Sequence, residues 1–492
     1  MSPVFFSLGF AVVLAASAGA APITVDAKKQ LFLDDYLIES MTNVERHIQP
    51  AEKFGANPVL RATEPWENGI LLLYGSVLRE GDRYRMWYKC GPGVAYAESN
   101  DGIEWVKPRL DLVEIDGQKT NLLFRRDDGR LPYYYEAFGV LRDDREQEPS
   151  RRYKMGFLSI QRDYSGPRED VFHHGQRRGL GVAASPDGIH WKLVDSWATE
   201  AICDGLTTWT FDPARERYVL YGRTKKTLPE VEAAWSQYDW YKRWHWGRAV
   251  ARAESPDFIH WDYTEPASAP VVMTADIHDE PGTEIYSMKV FPYESVYIGL
   301  VQAFLARPDA GYLELQLAVS HDGVNFTRVG DRAPFIPVGP VGSWDRFNQS
   351  PANNPPIAVG NEVRFYYGGR TYRHGPYAGP DKGRSGGAIG FASIKRDRFV
   401  ALQASFDGGR IVTKPLKLMG RTLHLNAKSD FGEILVELLD DAGRPITKSK
   451  PIQCDALDII VDWEDGNLPE GGAPVRLRIT LKNARLFALW SV

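Results

Sequence analysis

The chain has 492 residues, of which 43% are hydrophobic and 25% are charged, so it is long enough to bury a large core and to form more than one domain. Its formal net charge of -5 and its isoelectric point near 6.1 leave no basic surplus, which excludes nucleic acid and anionic membranes as preferred partners. A neutral small molecule or a carbohydrate fits this charge balance better.

Residues 1–20 predict a secretory signal peptide. An apolar run extends from Val4 to Ala16, and the small residues Ala18, Gly19 and Ala20 follow as a cleavage site. No Lys or Arg precedes the run, so an uncleaved membrane anchor is the alternative. No later stretch is apolar over enough residues to span a bilayer, and we therefore expect the mature chain to be secreted or periplasmic.

Residues 21–49 form an N-terminal extension, in which the segment KQLFLDDYLIES has the character of a short β-strand. It would either cap the domain that follows or complete its last repeat. The three cysteines allow at most one disulfide, so the stability of the fold must come from its core.

A motif of nine residues recurs along the chain. Its copies are AESNDGIEW, AASPDGIHW, AESPDFIHW, AVSHDGVNF and the degenerate ASIKRDRFV. Their aromatic ends, from Trp105 to Phe399, lie 65 to 86 residues apart, which is too long a spacing for a helical solenoid and long enough for a four-stranded sheet with loops. Five copies therefore indicate five sheets.

The chemistry of the motif supports a β-propeller. A strand of small residues leads into Ser-x-Asp-Gly, where Asp bonds its own turn and Gly accepts a positive φ. Another β-rich run precedes each copy, so each unit has two hairpins. We predict a five-bladed propeller over residues 50–400, in which the Asp-Gly turn joins the third and fourth strands and an aromatic such as Trp191 packs between blades.

Residues 401–492 lack the motif and alternate as strands and turns. The runs TLHLNAK, EILVELLD, VRLRITL and RLFALWSV are separated by DAGRP and EDGNLPEGG. The simplest interpretation is a C-terminal β-sandwich, which makes the whole chain all-β.

A five-bladed propeller with an appended sandwich resembles the glycoside hydrolases of families 32 and 43. The segments LFLDDYLIES, SPDGIHW and TEIYSMKVFPYESVYIGL look like secreted propeller proteins related to family 32. The resemblance implies cleavage of terminal sugars by carboxylates at the mouth of the central channel. The chain departs from family 32 because the Trp-Met-Asn-Asp-Pro, Arg-Asp-Pro and Glu-Cys motifs are absent, so catalytic roles cannot be transferred directly.

Acidic residues just before the innermost strand of each blade would converge at the channel, although they are far apart in sequence. Five acids hold such positions, namely Glu67, Glu136, Asp204, Glu284 and Asp345. Glycoside hydrolysis needs one protonated and one ionised carboxyl group, and crowding raises the pKa of one of them. We predict Glu284, Asp204 and Glu136 to be catalytic, with Glu284 as general acid and Asp204 as its ionised partner. The alternative is that they bind sugar hydroxyls or brace arginines.

Aromatic side chains provide stacking surfaces for sugar rings. We predict that Trp66 and Trp209 bind substrate together with Glu67 and Asp345. The segment VEAAWSQYDWYKR has helical composition, and its aromatics either pack or form one wall of the pocket. The spacing of His and acidic residues matches no closed metal site, and no cofactor is expected, although a structural calcium ion in the channel stays open.

The leading prediction is a secreted glycoside hydrolase that cleaves terminal sugars from a polysaccharide or oligosaccharide. A non-catalytic carbohydrate-binding propeller is the first alternative, and the missing motifs favour it. A mannoside-phosphorylase-like enzyme is the second, although it would need a basic phosphate pocket and usually a cytoplasmic phosphate supply. The sugar, the linkage, the stereochemistry and the oligomeric state stay open.

Overall fold

A computed structural model describes the chain except for residues 1–20, 92, 126–137, 162–176, 200–206, 263–269, 375–385, 466–467 and 469–472. The predicted all-β class is confirmed. Within the described part, helix is confined to the 3₁₀ turns Pro65–Glu67 and Pro149–Arg151 and the α-helices Pro229–Trp235 and Tyr241–Trp244. None of these helices has the length and apolar character needed to cross a membrane. The predicted signal peptide, Glu136 and Asp204 lie outside the described residues.

Three sheets of four antiparallel strands form blades I to III, and one nine-stranded sheet forms blades IV and V, which are joined by the parallel pair Leu313 and Asn348. The first strand given for each blade is the inner one. Blade I comprises Leu71–Glu80, Arg83–Cys90, Gly93–Ser99 and Leu122–Arg125. Blade II comprises Gly139–Arg142, Tyr153–Gln161, Arg177–Ser185 and Lys192–Thr199. Blade III comprises Thr208–Asp212, Arg217–Lys225, Arg248–Ser255 and Val271–Met273. Blade IV comprises Thr283–Tyr293, Val296–Leu305, Leu313–Ser320 and Thr327–Arg328.

Blade V is completed by the N-terminal part of the chain. Its strands are Asn348–Pro351, Glu362–Arg370, Gly387–Lys395 and the short Glu52–Lys53, which pairs with the third strand. Ile357–Val359 continues the inner edge of this blade after a break at residues 352–356. The hairpin Leu110–Ile115 and Gln118–Thr120 is inserted in blade I. The backbone hydrogen bonds between Glu52–Lys53 and the third strand of blade V therefore close the ring, because they join the two ends of the propeller segment.

In its first four copies the repeated motif forms the turn that follows the third strand and leads towards the fourth, as predicted. The fifth copy instead leads into the sandwich strand Val400–Ala404, because Glu52–Lys53 supplies the fourth strand of blade V. In the second copy, Asp187 Oδ1 accepts the backbone N–H groups of Ile189 at 2.9 Å and His190 at 2.8 Å, and Gly188 takes a φ of 76°. Burial opposes ionisation of Asp187, but these hydrogen bonds outweigh it and lower its pKa to about 2. The same bonds recur at Asp101, Asp257 and Asp322.

Each of three such turns is also bonded to the preceding blade. The indole N–H of Trp87 in blade I donates to the carbonyl of Gly188 in blade II at 2.7 Å. Equivalent bonds run from the Tyr366 hydroxyl to Gly102 O at 2.7 Å and from the Tyr221 hydroxyl to Gly323 O at 2.8 Å. A Cβ atom at Gly102 would lie 2.2 Å from the Tyr366 hydroxyl, so this contact requires glycine. The motif therefore joins blades to each other.

Hydrophobic clusters fill the spaces between neighbouring blades. Blades I and II share a cluster that contains Trp87, Tyr96 and Met155, and the half-buried Trp191 packs against it. Four further clusters connect blades II to III, III to IV, IV to V, and V to I. The sequence of shared clusters closes on itself, which is the packing of a five-bladed ring.

A polar hub at Asn353 occupies the centre of this ring. Asn353 lies in the break of the inner strand of blade V, and its backbone N–H donates to Gly75 O of blade I at 2.7 Å. Its Oδ1 accepts the backbone N–H of Trp209 in blade III at 3.2 Å and contacts Lys289 Nζ of blade IV at 3.4 Å. A Cβ atom at Gly139 of blade II would lie 1.6 Å from Asn353 Nδ2. One residue therefore contacts the inner strands of the four other blades through its backbone and its side chain.

Lys289 is fully buried beside this hub. Its Nζ donates to Trp209 O at 3.0 Å, and burial lowers its pKa to about 7. Ser76 completes the hub, because its hydroxyl donates to Asn353 O at 3.1 Å and accepts the backbone N–H of Val140 at 2.8 Å. The centre of the ring is thus filled with hydrogen-bonded side chains.

Two further sheets pack face to face around one apolar core and form a β-sandwich, which includes strands before residue 50 as well as the predicted residues 401–492. One sheet contains Ile23–Val25, Leu416–Leu418, Val475–Lys482, Gly409–Thr413, Ile38–Thr42, Glu433–Asp440 and Pro445–Lys448. The other contains Asp455–Ile460, Leu423–Lys428, Ala484–Ser491, Val400–Ala404, Glu45–Ile48 and Gln30–Leu31. The N-terminal extension therefore joins the sandwich, whereas the sequence suggested a cap on the propeller or its last strand.

Substitution Asn353→Ala should lower the free energy of unfolding by about 2 to 4 kcal/mol, because it leaves the buried Trp209 N–H and Lys289 Nζ short of an acceptor. Urea denaturation measures this change. Asn325→Ala is the matched control, since Asn325 is exposed and bonds only within its own turn through its side chain. Equal loss of stability in the two variants would contradict a central role for the hub.

Candidate functional site

Glu284 is the second residue of the inner strand of blade IV, and it is fully buried. Its Oε1 accepts the backbone N–H groups of Trp246 and of Gly247, the latter at 2.9 Å. Its Oε2 forms an ion pair with Arg248 at the start of a strand in blade III. Both carboxylate oxygens therefore have donors, and the side chain ties blade IV to blade III.

The segment that Glu284 anchors is an insertion in blade III that includes both α-helices. The first helix begins with Pro229 and buries Val231 and Trp235. Tyr241 is buried in the second helix, so the predicted helical segment is confirmed and these aromatics pack internally. Gly247 has a φ of 65° where the insertion turns back into the sheet, next to the contact with Glu284.

His245 lies beside this ion pair, with its Nδ1 3.6 Å from Glu284 Oε1. The imidazole stacks on Tyr241 at 4.6 Å between ring centroids. Burial lowers the pKa of His245, although the charge of Glu284 opposes the shift. Burial therefore favours the neutral form of the His245 imidazole.

These contacts do not fit the predicted role of Glu284 as general acid. A general acid presents a protonated oxygen to the leaving group, whereas Glu284 accepts hydrogen bonds at both oxygens and faces a guanidinium cation. The prediction followed from the position of Glu284 before the strand, which does not reveal these partners. We assign Glu284 a positioning role for the inserted segment.

Glu67 is also fully buried, and it stabilises a turn. Its Oε2 accepts the backbone N–H groups of Thr63 and Glu64 and pairs with Lys107 at 2.7 Å, while its Oε1 accepts the Tyr88 hydroxyl at 2.8 Å. These donors occupy both of its oxygens. The expectation that Glu67 binds substrate therefore does not agree with its surroundings.

The adjacent Trp66 is buried as well. Its indole N–H donates to Asn121 Oδ1 at 3.0 Å, and the Arg109 guanidinium lies 4.8 Å from its ring. The ring contributes to the core shared by blades V and I. Trp66 therefore has a packing role, and the expectation that it stacks on substrate is wrong for this arrangement.

Asp345 and Trp209 were also predicted to bind substrate, and both are buried among protein partners instead. Asp345 Oδ2 pairs with Lys53 Nζ at 2.6 Å and accepts the Tyr367 hydroxyl at 2.9 Å, which anchors the short fourth strand of blade V. Trp209 packs between blades II and III, where Phe258 contacts its ring edge-on at 6.0 Å. Both side chains are almost fully buried, so neither is available to a sugar.

Sequence reasoning missed a group of arginine, tyrosine and histidine side chains. They lie at the end of the channel where the inner strands begin, and we call this end the mouth. Arg223 of blade III donates through Nε and Nη2 to Tyr286 O of blade IV at 3.2 and 2.9 Å. Its guanidinium lies 3.9 Å from the Tyr286 ring, and the Tyr286 hydroxyl is hydrogen-bonded to His374 Nε2 at 3.0 Å. These contacts link blades III, IV and V.

A second set of contacts links blades V and I at the mouth. Arg370 pairs in register with Asn348 at the start of an inner strand, and its Nη2 donates to the Tyr74 hydroxyl at 2.5 Å. The ammonium of Lys89 lies 5.9 Å from the Tyr74 ring. Arginines and phenols of this kind supply donors and flat surfaces suited to a ligand rich in oxygen.

One sequence signal would have found part of this set. Gly-Arg-Thr occurs at residues 222–224 and 369–371, at the end of the second strand of two blades, and both arginines belong to the mouth. A third copy at residues 420–422 lies in the sandwich, so the signal is the tripeptide together with its place in a blade. Lys289 lies five residues beyond Glu284 on the same strand, or about 17 Å at the rise of an extended chain. The hub therefore lies further along the inner strands than the mouth.

Within the described residues, no group of three or more His, Cys, Asp or Glu side chains has the arrangement of a metal site. The predicted catalytic residues Asp204 and Glu136 lie outside the described residues, and their predicted roles remain hypotheses. Gly139 and Thr208 begin the inner strands that follow them in sequence.

The chain matches no protein-family model and no curated protein. Among solved structures it is similar to an N-acetylgalactosamine deacetylase from F. plautii in complex with blood group B trisaccharide, with 16% identity over 77% of this chain and 96% of that chain and a TM-score of 0.43. A glycosyl hydrolase from Bacteroides ovatus has 15% identity over 71% and 95% of the two chains and a TM-score of 0.45.

A family 43 arabinoxylan arabinofuranohydrolase from Bacillus subtilis in complex with cellotetraose has 11% identity over 87% of this chain and 96% of that chain, with a TM-score of 0.39. At these scores we base the functional proposal on the residues of this chain.

Substitution Glu284→Gln should reduce the free energy of unfolding by about 2 to 4 kcal/mol, because it removes the charge that compensates the buried Arg248. It should also speed hydrogen exchange at the amides of Trp246 and Gly247, which mass spectrometry of peptides from residues 240–250 would detect. Glu362→Gln, in an exposed strand position, is the control. Unchanged exchange in the Glu284 variant would contradict the positioning role.

Proposed function

We propose that this chain is an exported glycoside hydrolase whose active site is the mouth of the propeller. The observation that carries the proposal is the convergence of Arg223, Tyr286 and Arg370 at the mouth, with Asn353 and Lys289 filling the ring centre further along the inner strands. Ligand sites are concave and combine aromatic surfaces with a few convergent polar groups. An oxygen-rich sugar suits such a lining.

The proposed catalytic carboxyl groups are those of Glu136 and Asp204. Each comes shortly before the inner strand of its blade, blade II for Glu136 and blade III for Asp204, and these blades are neighbours. Glu136 would donate a proton to the leaving oxygen, while Asp204 would remain ionised as nucleophile or as base for water. Glu284 would hold the inserted segment of blade III beside the mouth. Proton transfer would then depend on Glu136 and Asp204.

Export is the second part of the proposal. The apolar run and small-residue site in residues 1–20 support a signal peptide, which would deliver the chain to the periplasm or to the medium. Polysaccharides and oligosaccharides from the surroundings are available in either place. The proposed substrate is therefore an external glycan, cleaved at its terminal sugars.

The test begins with a screen of glycans and 4-nitrophenyl glycosides for cleavage by the wild-type protein. On the active glycan, Glu136→Gln and Asp204→Asn should each reduce kcat/KM by a factor of about 10² to 10⁴. Glu136→Gln should recover most of the loss on the 4-nitrophenyl glycoside, since that leaving group needs no proton donor. Asp309→Asn is the control, because Asp309 is an exposed acid that pairs with Arg307.

Full activity in both folded variants would contradict the catalytic assignment. Binding of glycans by the wild-type protein without cleavage of any would instead favour a carbohydrate-binding propeller. The contacts of Glu284 are the observation in favour of that alternative, because they remove one of the three predicted catalytic carboxyls.

A further inference from the structure

Lys289 places an amine without a counter-charge in the hub. Its side chain is fully buried, and its Nζ contacts two acceptors, Trp209 O at 3.0 Å and Asn353 Oδ1 at 3.4 Å. Both acceptors are neutral amide oxygens, and no carboxylate of the described residues pairs with Nζ. A buried ammonium is costly unless an anion compensates it, so this position favours the uncharged amine.

The charged groups nearby are bonded to other partners. The hub residues from blades I, II and V are uncharged, namely Ser76, Gly139, Val140 and Asn353. Strands of blade III and the second strand of blade IV pack against the strand of Lys289. The buried titratable side chains of these strands and their partners are Tyr218 with Asp143, Tyr221 with Gly323 O, Arg223 with Tyr286 O, Arg248 with Glu284, Arg252 with Glu254, Tyr286 with His374 and Asp212 with Tyr297.

The number of acceptors in the hub also fits a neutral amine. A neutral amine donates two hydrogens, whereas an ammonium donates three. Of the two acceptors of Nζ, Asn353 Oδ1 also accepts the backbone N–H of Trp209 at 3.2 Å. The Ser76 hydroxyl is already bonded to Asn353 O and to the N–H of Val140. Within the described hub, a third hydrogen on Nζ would therefore have no acceptor.

We propose that the hub is a pH-sensitive switch of the propeller, closed while Lys289 is neutral and opened when Lys289 takes up a proton. Opening would release Asn353 from Trp209 and Lys289, and so from blades III and IV. Tyr286 of the mouth lies three residues before Lys289 on the same strand, about 10 Å away, so opening of the hub would also disturb the mouth. This inference does not rest on the proposed hydrolysis.

The direction of the pH effect follows from the two states of the chain. In the unfolded chain the amine is in water and has the ordinary lysine pKa near 10.4. Burial lowers the pKa of Lys289 in the folded chain to about 7. Between these two values the unfolded chain binds the additional proton, so the folded state gains stability as the pH rises. The gain is lost as the pH falls from about 10 to about 7, and it changes little below that.

Urea denaturation of the full chain at two pH values tests the proposal. The linked proton should make the unfolding equilibrium constant smaller at pH 9.5 than at pH 7.5 by a factor of about 50 to 100. Lys289→Met keeps the length of the side chain and removes the titrating group, so the variant should lack this part of the pH dependence. Lys417→Met is the matched control, because Lys417 is exposed and its replacement should leave the wild-type pH dependence unchanged.

The same pH dependence in the wild-type protein and in Lys289→Met would overturn the proposal. If that variant does not fold, hydrogen exchange of the wild-type protein decides. After correction for the intrinsic exchange rate, the backbone amides of Trp209 and Asn353 should be protected about tenfold more at pH 8 than at pH 6, because the open hub becomes rarer. Equal protection of these amides at the two pH values would overturn the proposal as well. Neither measurement needs a substrate, so failure of the switch and failure of the proposed hydrolase are distinguishable.

Discussion

The propeller depends on the hydrogen bonds of Asn353. This residue reaches the centre of the ring because the inner strand of blade V is interrupted there, and its amide satisfies donors from blades III and IV at once. Burial of polar groups is costly unless they are paired, so the arrangement tolerates few alternatives. Filling the centre in this way separates the two ends of the channel. Arg223, Tyr286 and Arg370 converge at one of these ends, the mouth, and this convergence is the basis of the proposed function.

The number of blades could be predicted because the relevant chemistry is local. Ser-x-Asp-Gly contains its own acceptor, its own donors and the residue that tolerates a positive φ, so each copy reports one turn without knowledge of its neighbours. The residues that bond to these turns from the neighbouring blade could not be predicted in the same way. Trp87 and Gly188 meet across a blade boundary, and the sequence contains no signal of that pairing. The N-terminal strands were misplaced for the same reason, since Ile38–Thr42 pairs with residues near 410.

The acids before the inner strands show where sequence reasoning reaches its limit. Position alone cannot distinguish a catalytic carboxylate from one that holds the structure together. Asp345 pairs with Lys53 almost three hundred residues earlier, and Glu284 pairs with a guanidinium across two blades. Burial and tertiary partners decide between these roles, and neither follows from local pattern. Gly-Arg-Thr at the end of the second strand of a blade was a local signal for two arginines of the mouth, whereas its third copy at residues 420–422 lies in the sandwich.

The central claim is that the hub fills the ring centre and that sugar binds at the mouth. A crystal structure of the Asp204→Asn variant, soaked with the glycan that the wild-type protein cleaves, tests it most directly. The account predicts ordered sugar at the mouth in contact with Tyr286 or Arg370, and density for Asn353 and Lys289 filling the ring centre beneath it. A channel open through the ring, or sugar bound within the propeller only at the opposite end of the blades, would contradict the account.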